Sequence, residues 1–440
     1  MKTNFMVATP NRTLWLDYLR SALTVLVVAH HASLAYTTFA TFHPEAYILS
    51  THPVVDTHRW IGMDIFENFN DVFFMSLMFF ISGIFVLPAL RKKGVAAFCA
   101  TGFTASSFLF FVAVSLLMLL AYYPAYYLAH HRHNIKDYII DFFTTEQWPV
   151  GPPWFIWVLF AFNLVLALLY PMVSGLLTKA SAWLSALQNK PGWLFLFLFL
   201  ATFLLYVPLA FAVGPGTWTG FYPFDFQLSR VVLYFGYFIL GVLAGSIDLG
   251  TGLFANTSAL KQKCPIWTIL CVVMYVLLTI VPDILTNLVK TKQLDELPAW
   301  LLYFSIYTAS CTASCLAFLS IFKASVQSPE PAWQSLTANA YGIYLVHYIF
   351  IVWCQYLLLP LPAHAVVKFS ITFIIALALS WLTTFIIRKT HSSVNTCNTP
   401  PHLFTLPLFP SCRLPDFRTS QLIFASYESI LIRPEWNDDR

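Results

Sequence analysis

The chain has 440 residues, 58% of them hydrophobic and only 10% charged, with a mean hydropathy of +0.70. That balance excludes an ordinary soluble domain, whose charged share is about a quarter, and points to an integral membrane protein. The formal charge of +4 is too small for a nucleic-acid binder, and scattered cysteines without a CxxC pair offer neither a zinc site nor a disulfide framework.

The opening stretch, "MKTNFMVATPNRTLWLDYLR", lacks a short apolar core followed by a small-residue cleavage site. No cleaved signal peptide is therefore expected, and residues 1–13 read as a cytoplasmic segment. A helix needs about 20 apolar residues to cross a hydrocarbon layer of roughly 30 Å. Ten segments qualify: 14–40, 72–90, 103–128, 154–177, 192–213, 231–247, 266–288, 299–322, 336–359 and 365–388. The expected fold is an all-α integral membrane protein, a bundle of about ten transmembrane helices within residues 14–389. The sixth helix is the weakest, being short and interrupted by Gly236, Gly241 and Gly245.

Lys and Arg are commoner in the connections on the N-terminal side, with "LRKKG" as the strongest anchor, and the fewer outer charges include Arg230 and Lys368. Both termini are expected in the cytoplasm on that basis. The connection 41–71 holds His43, His52, Asp56, His58, Asp64 and Glu67 without a compact ligand motif, and reads as a solvated outer loop with no metal site. Residues 390–440 are proline-rich and have no run long enough to span, as a disordered or loosely membrane-associated tail would.

The first helix, "LDYLRSALTVLVVAHHASLAY", carries an arginine and two histidines in an otherwise apolar run. Eleven steps separate Arg20 from His31, about 16 Å along a helix and a net rotation of only about 20°. The two share a face, whereas His30 points about 100° away and is open to a packing or hydrogen-bonding role. A membrane-buried histidine is costly and is by default a functional candidate. Neutral imidazole can remove a hydroxyl proton near neutral pH, and a guanidinium suits phosphates. Together they fit activation of an alcohol and binding of a phosphate-rich acyl donor such as acyl-CoA. Arg20 could equally snorkel to the headgroups, or pair with Asp17 one turn before it.

These residues resemble the first-helix signature of the membrane acyltransferase-3 family, an arginine or lysine and a histidine separated by ten residues. The block "HHASLAY" is particularly similar to the branch that succinylates periplasmic glucans. "FMSLMFFISGIF", "PWFIWVLFAF" and "NAYGIYLVHYIFIVW" resemble later family blocks, in order, from about residue 12 to 389. The resemblance implies transfer of an acyl group, acetyl or succinyl, from cytoplasmic acyl-CoA to a hydroxyl of an envelope carbohydrate such as a glucan. It implies a bacterial inner-membrane location, His31 as the catalytic base and Arg20 as its motif partner. No bound cofactor is implied, acyl-CoA being a co-substrate.

One departure stands out. Family members carry paired arginines at the start of the third helix, but "GVAAFCATGFTASSFLFF" has none. Arg91, Lys92 and Lys93 just before it are candidates to bind the donor, or simply anchor the chain on the inner side. Asp71 could orient an acceptor or cap the second helix, and Ser82, beside Gly83, could give a polar contact or allow close packing. His347 and Tyr344 could bind acceptor or support the His31 site. Two rival readings remain at this stage: a multi-pass transporter or flippase for an acyl- or sugar-linked substrate, and a non-catalytic relative.

Overall fold

The computed structural model describes residues 14–144, 148–247 and 249–397. The expected N-terminal segment 1–13 and the tail beyond 397 lie outside them.

The described chain is mostly helical. In order it comprises α1 (Leu14–Leu34), α2 (Ile61–Ile84), α3 (Val86–Lys93), α4 (Val95–Val112), α5 (Met118–His130), α6 (Ile135–Thr144), α7 (Trp154–Ala186), α8 (Pro191–Val213), α9 (Val231–Gly245), α10 (Ala259–Gln262), α11 (Cys264–Lys290), α12 (Glu296–Ser325), α13 (Pro331–Leu358) and α14 (Ala365–Cys397). A π turn at Ala113–Leu117 joins α4 to α5. Strands β1 (Trp218–Thr219) and β2 (Phe226–Gln227) form a small antiparallel hairpin.

Nine helical stretches among the described residues are long and apolar enough to cross a membrane. The chain is a multi-pass membrane protein. α1 is not among the nine: it is long enough, but Asp17, Arg20, His30 and His31 dilute its apolar character.

The glycines that weakened the sixth expected helix explain how it packs. A Cβ at Gly241 would overlap the Phe80 carbonyl, one at Gly245 the Ile84 carbonyl, and one at Gly83 the Phe238 carbonyl. α2 and α9 therefore touch backbone to backbone, the close approach that small residues four apart permit between membrane helices. Ser82 is buried at this crossing.

The connection 41–71 is not a solvated loop. Its last eleven residues are the first turns of α2, and the rest folds over the ends of α1, α13 and α14. Three pins hold it: Lys368 Nζ donates to Asp56 Oδ2 at 2.6 Å, the Thr38 amide donates to Asp64 at 2.7 Å, and His52 Nε2 donates to Gln355 Oε1 at 2.6 Å. Asp56, Asp64 and His52 Nε2 have each found a partner, which makes their burial tolerable where solvation had been expected. Arg230 and Lys368, counted from sequence among the outer connecting charges, are likewise buried in ion pairs.

Candidate active site

α1 is continuous from Leu14 to Leu34, so the helix geometry read from sequence holds. Arg20 and His31 lie on one face about three turns apart, and their surroundings differ.

His31 is fully buried in the last turn of α1. Its Nδ1 lies 2.9 Å from the Val27 carbonyl, and His347 Nε2 lies 3.3 Å from the same nitrogen. His347 Nδ1 in turn sits 2.5 Å from the Tyr344 carbonyl. A carbonyl only accepts, so both histidines carry their proton on Nδ1. The His31 Nδ1–H is then shared between Val27 and the His347 Nε2 lone pair. This leaves His31 Nε2 as a buried lone pair with no hydrogen-bond partner. An imidazole whose second nitrogen is anchored in this way has a fixed orientation and one nitrogen available to accept a proton.

Two further groups complete the surroundings. Gln355 Nε2 donates to the carbonyls of His31 and Ala32 at 3.2 and 3.3 Å, holding the end of α1. The same amide accepts from His52, and the Tyr348 ring lies edge-on to both His31 and His52. Burial of His52 in the connecting segment disfavours its imidazolium and lowers its pKa to about 4, so it is neutral at pH 7.

His30 turns towards α2, although its ring still meets that of His31 edge-on at 5.3 Å. Its ring packs on Phe74 at 5.2 Å, and its Nε2 lies 3.8 Å from a carboxylate oxygen of Glu67. The two neighbouring histidines thus belong to different contacts, as the 100° rotation requires.

At the other end of α1, Arg20 does not snorkel. It is buried and its Nη2 donates to Asp17 at 3.1 Å. Arg91, Lys92 and Lys93 form the last turn of α3 and lie largely at the surface, with Arg91 reaching the Tyr170 hydroxyl at 3.4 Å. α1 and α2 run antiparallel, since Thr38 just past α1 meets Asp64 at the start of α2 while Trp15 and Phe80 both pack on Phe254, so this basic turn lies at the Arg20 end of the molecule, away from His31.

Asp71 is not a helix cap. α2 begins at Ile61, so Asp71 lies nearly three turns inside it, where it grips Arg230 through Nη1 to Oδ1 at 2.8 Å and Nη2 to Oδ2 at 2.7 Å. Asn70 is likewise inside the helix. The start of α2 escaped a hydropathy reading because Asp64, Glu67, Asn70 and Asp71 dilute its apolar residues; all four are buried. Tyr344 is fixed by a hydrogen bond from its hydroxyl to the Pro152 carbonyl.

The structure therefore brings His347 onto His31 and keeps Arg20, Asp71, Ser82 and the basic turn out of direct contact with it. Sequence reading set His52 and Glu67 aside as residues of a solvated loop, and missed Gln355 and the pairing of Arg230. The available signal was a polar residue within or beside an apolar run, which in a membrane protein calls for a partner.

No curated protein and no solved structure matched the chain. The family model of the acyltransferase-3 domain does match, over residues 13–385, a span that begins just before α1 and ends within α14. The chain belongs to the acyltransferase-3 family and is a membrane acyltransferase that transfers groups other than aminoacyl groups.

Proposed function

We propose that the protein moves an acetyl or succinyl group from acyl-CoA to a hydroxyl of an envelope carbohydrate, with His31 as the general base. The observation that carries this reading is the buried His31 Nε2, which has no hydrogen-bond partner while its Nδ1 is anchored on Val27 and His347. Nε2 takes the hydroxyl proton as the alkoxide oxygen attacks the thioester carbonyl. The tetrahedral intermediate then collapses, the carbon–sulfur bond breaks, and the thiolate takes the proton back from the imidazolium. The base is regenerated.

His347 acts as a positioning residue, since its Nε2 accepts from His31 Nδ1–H and helps stabilise the imidazolium. The donor's phosphates approach the opposite end of α1, where Arg91, Lys92 and Lys93 offer exposed positive charge. Arg20 steers that end from its pair with Asp17. The basic turn occupies the side on which Lys and Arg predominate, which supports cytoplasmic termini and cytoplasmic donor entry; α1 as a tenth span and a bacterial inner membrane rest on the family resemblance. A glucan acceptor rests on the "HHASLAY" resemblance.

The test is transfer of radiolabel from acyl-labelled acetyl-CoA and succinyl-CoA into envelope glycans by membranes carrying wild-type, His31→Ala or His30→Ala protein at matched abundance. Label that needs His31 is the expected result. Label retained in His31→Ala overturns the reading, and substrate movement without covalent label points to a transporter.

A further inference from the structure

Next to the histidines lies a second buried polar cluster whose chemistry the transfer step does not use. Its centre is the Asp71–Arg230 pair, in which both charges are buried and the carboxylate takes both terminal guanidinium nitrogens. The net charge there is close to zero. Around it, Tyr307 lies under the guanidinium at 5.6 Å and Tyr206 stacks on Tyr307 at 4.9 Å. On the other side, Tyr234 donates its hydroxyl to Gln227 at 3.0 Å and stacks on Trp154 at 6.0 Å.

This cluster is rich in buried polar atoms that make no hydrogen bond of ordinary geometry. They include both side-chain polar atoms of Asn70, the hydroxyl of Tyr307, Gln227 Nε2 and Trp154 Nε1. Each of these residues is at most 3% exposed. Leaving a buried donor or acceptor unpaired costs about 1–3 kcal/mol, so several in one place call for a ligand or ordered water to satisfy them. They are donors and acceptors mixed, interleaved with aromatic faces around a neutralised ion pair. That is a surface for a neutral polyhydroxyl molecule, not for an anion.

The cluster also adjoins the His31 site along two routes. On α2, Asn70 shares a face with Glu67 and Phe74, the two residues that meet His30. On the far side, His347 bonds to Tyr344, Tyr344 to Pro152, and Trp154 follows two residues later against Tyr234. The β1–β2 hairpin supplies Gln227 and covers the cluster, pinned by the Trp157 indole donating to Asp225 at 3.1 Å.

We infer that the Asp71–Arg230 cluster, with Asn70, Tyr206, Tyr307, Gln227 and Trp154, is the binding site for a neutral sugar unit of the acceptor, beside the base His31. The assignment of this ligand as acceptor rests on the transferase reading above.

The experiment is equilibrium binding by calorimetry of the full chain in detergent, without acyl donor. The probes are neutral glucose oligomers and uronic-acid oligomers of the same length. The variants are Asn70→Leu, which keeps volume, and Tyr307→Phe, which removes only a hydroxyl, with His31→Ala alongside. Saturable binding of the neutral oligomers is expected, weakened about tenfold by Asn70→Leu and by Tyr307→Phe, and retained in His31→Ala. The inference is overturned by no binding of the neutral oligomers, by equal or tighter binding of the uronic acids, or by binding that neither variant weakens, in which case the cluster holds structural water only. Since no acyl donor is present, failure here leaves His31-dependent label transfer standing. Binding without such transfer would sink the transferase reading alone.

Discussion

α1 and α11 have similar jobs by length and opposite fates by composition. α1 holds Asp17, Arg20, His30 and His31, yet nearly all of it is buried. α11 is among the most apolar spans, with a peak mean hydropathy of 2.4, and of its residues only Trp267, Cys271 and Leu285 are buried. In water the ordering would be reversed. Lipid tails are as apolar as leucine, so they impose no penalty on the Ile, Val and Leu face of α11, while every polar side chain in the hydrocarbon needs a protein partner. Polarity thus puts α1 at the centre, where it assembles the chemistry, and leaves α11 as a wall; α2 is nearly as apolar as α11 but is buried through its small-residue crossing with α9, so packing faces matter as well.

That contrast can be broken by experiment. The largest effect is expected at the centre: His31→Ala should lower acyl transfer at matched abundance by about a hundredfold or more, the usual contribution of a positioned general base. Residual activity within a few-fold of wild type would remove α1 from the chemistry.

Next in size are the buried charges. Asp71→Leu or Arg230→Leu alone leaves one charge uncompensated and should destabilise the protein by about 3–5 kcal/mol, whereas the double variant should lose less than either single. Thermal unfolding in detergent checks this; equal losses in all three would mean the pair is not coupled as the geometry indicates.

His52 sharpens the comparison through pH. Its pKa is lowered by burial from 6.5 to about 4. The unfolded chain then binds the proton first as pH falls, so the stability His52 contributes is complete above pH 6.5 and is lost between 6.5 and about 4. Replacing it by Gln should flatten that part of the profile of unfolding midpoint against pH. A profile unchanged by His52→Gln would show that this histidine does not stay neutral in the fold.

The smallest effect belongs to the wall. Ile269 on α11 is 63% exposed, and Ile269→Leu should shift stability by no more than about 0.5 kcal/mol. A loss as large as that of the charge variants would show this face to be an interface and not a lipid wall.

How much was legible in advance follows the same logic. Strongly apolar segments were found to within a few residues, as at 192–213 against Pro191–Val213. The start of α2 was not, because Asp64, Glu67, Asn70 and Asp71 look like loop residues until their partners are known. Those partners lie far along the chain: Thr38 for Asp64, Arg230 for Asp71. Arg230 was misread for the matching reason, since a cation beside an apolar run looks like an inside–outside anchor.

By itself, the sequence determined the membrane class, the helical content, and the geometry within α1 that puts Arg20 and His31 on one face with His30 off it. These are local properties, set by hydropathy and a period of 3.6 residues. Only the tertiary structure decided that His347 meets His31 Nδ1, that Gln355 links His31 to His52, and that Asp71 belongs to Arg230. Each of those contacts crosses between helices, and the pairing of helices depends on which polar groups and which small-residue faces can satisfy one another at once.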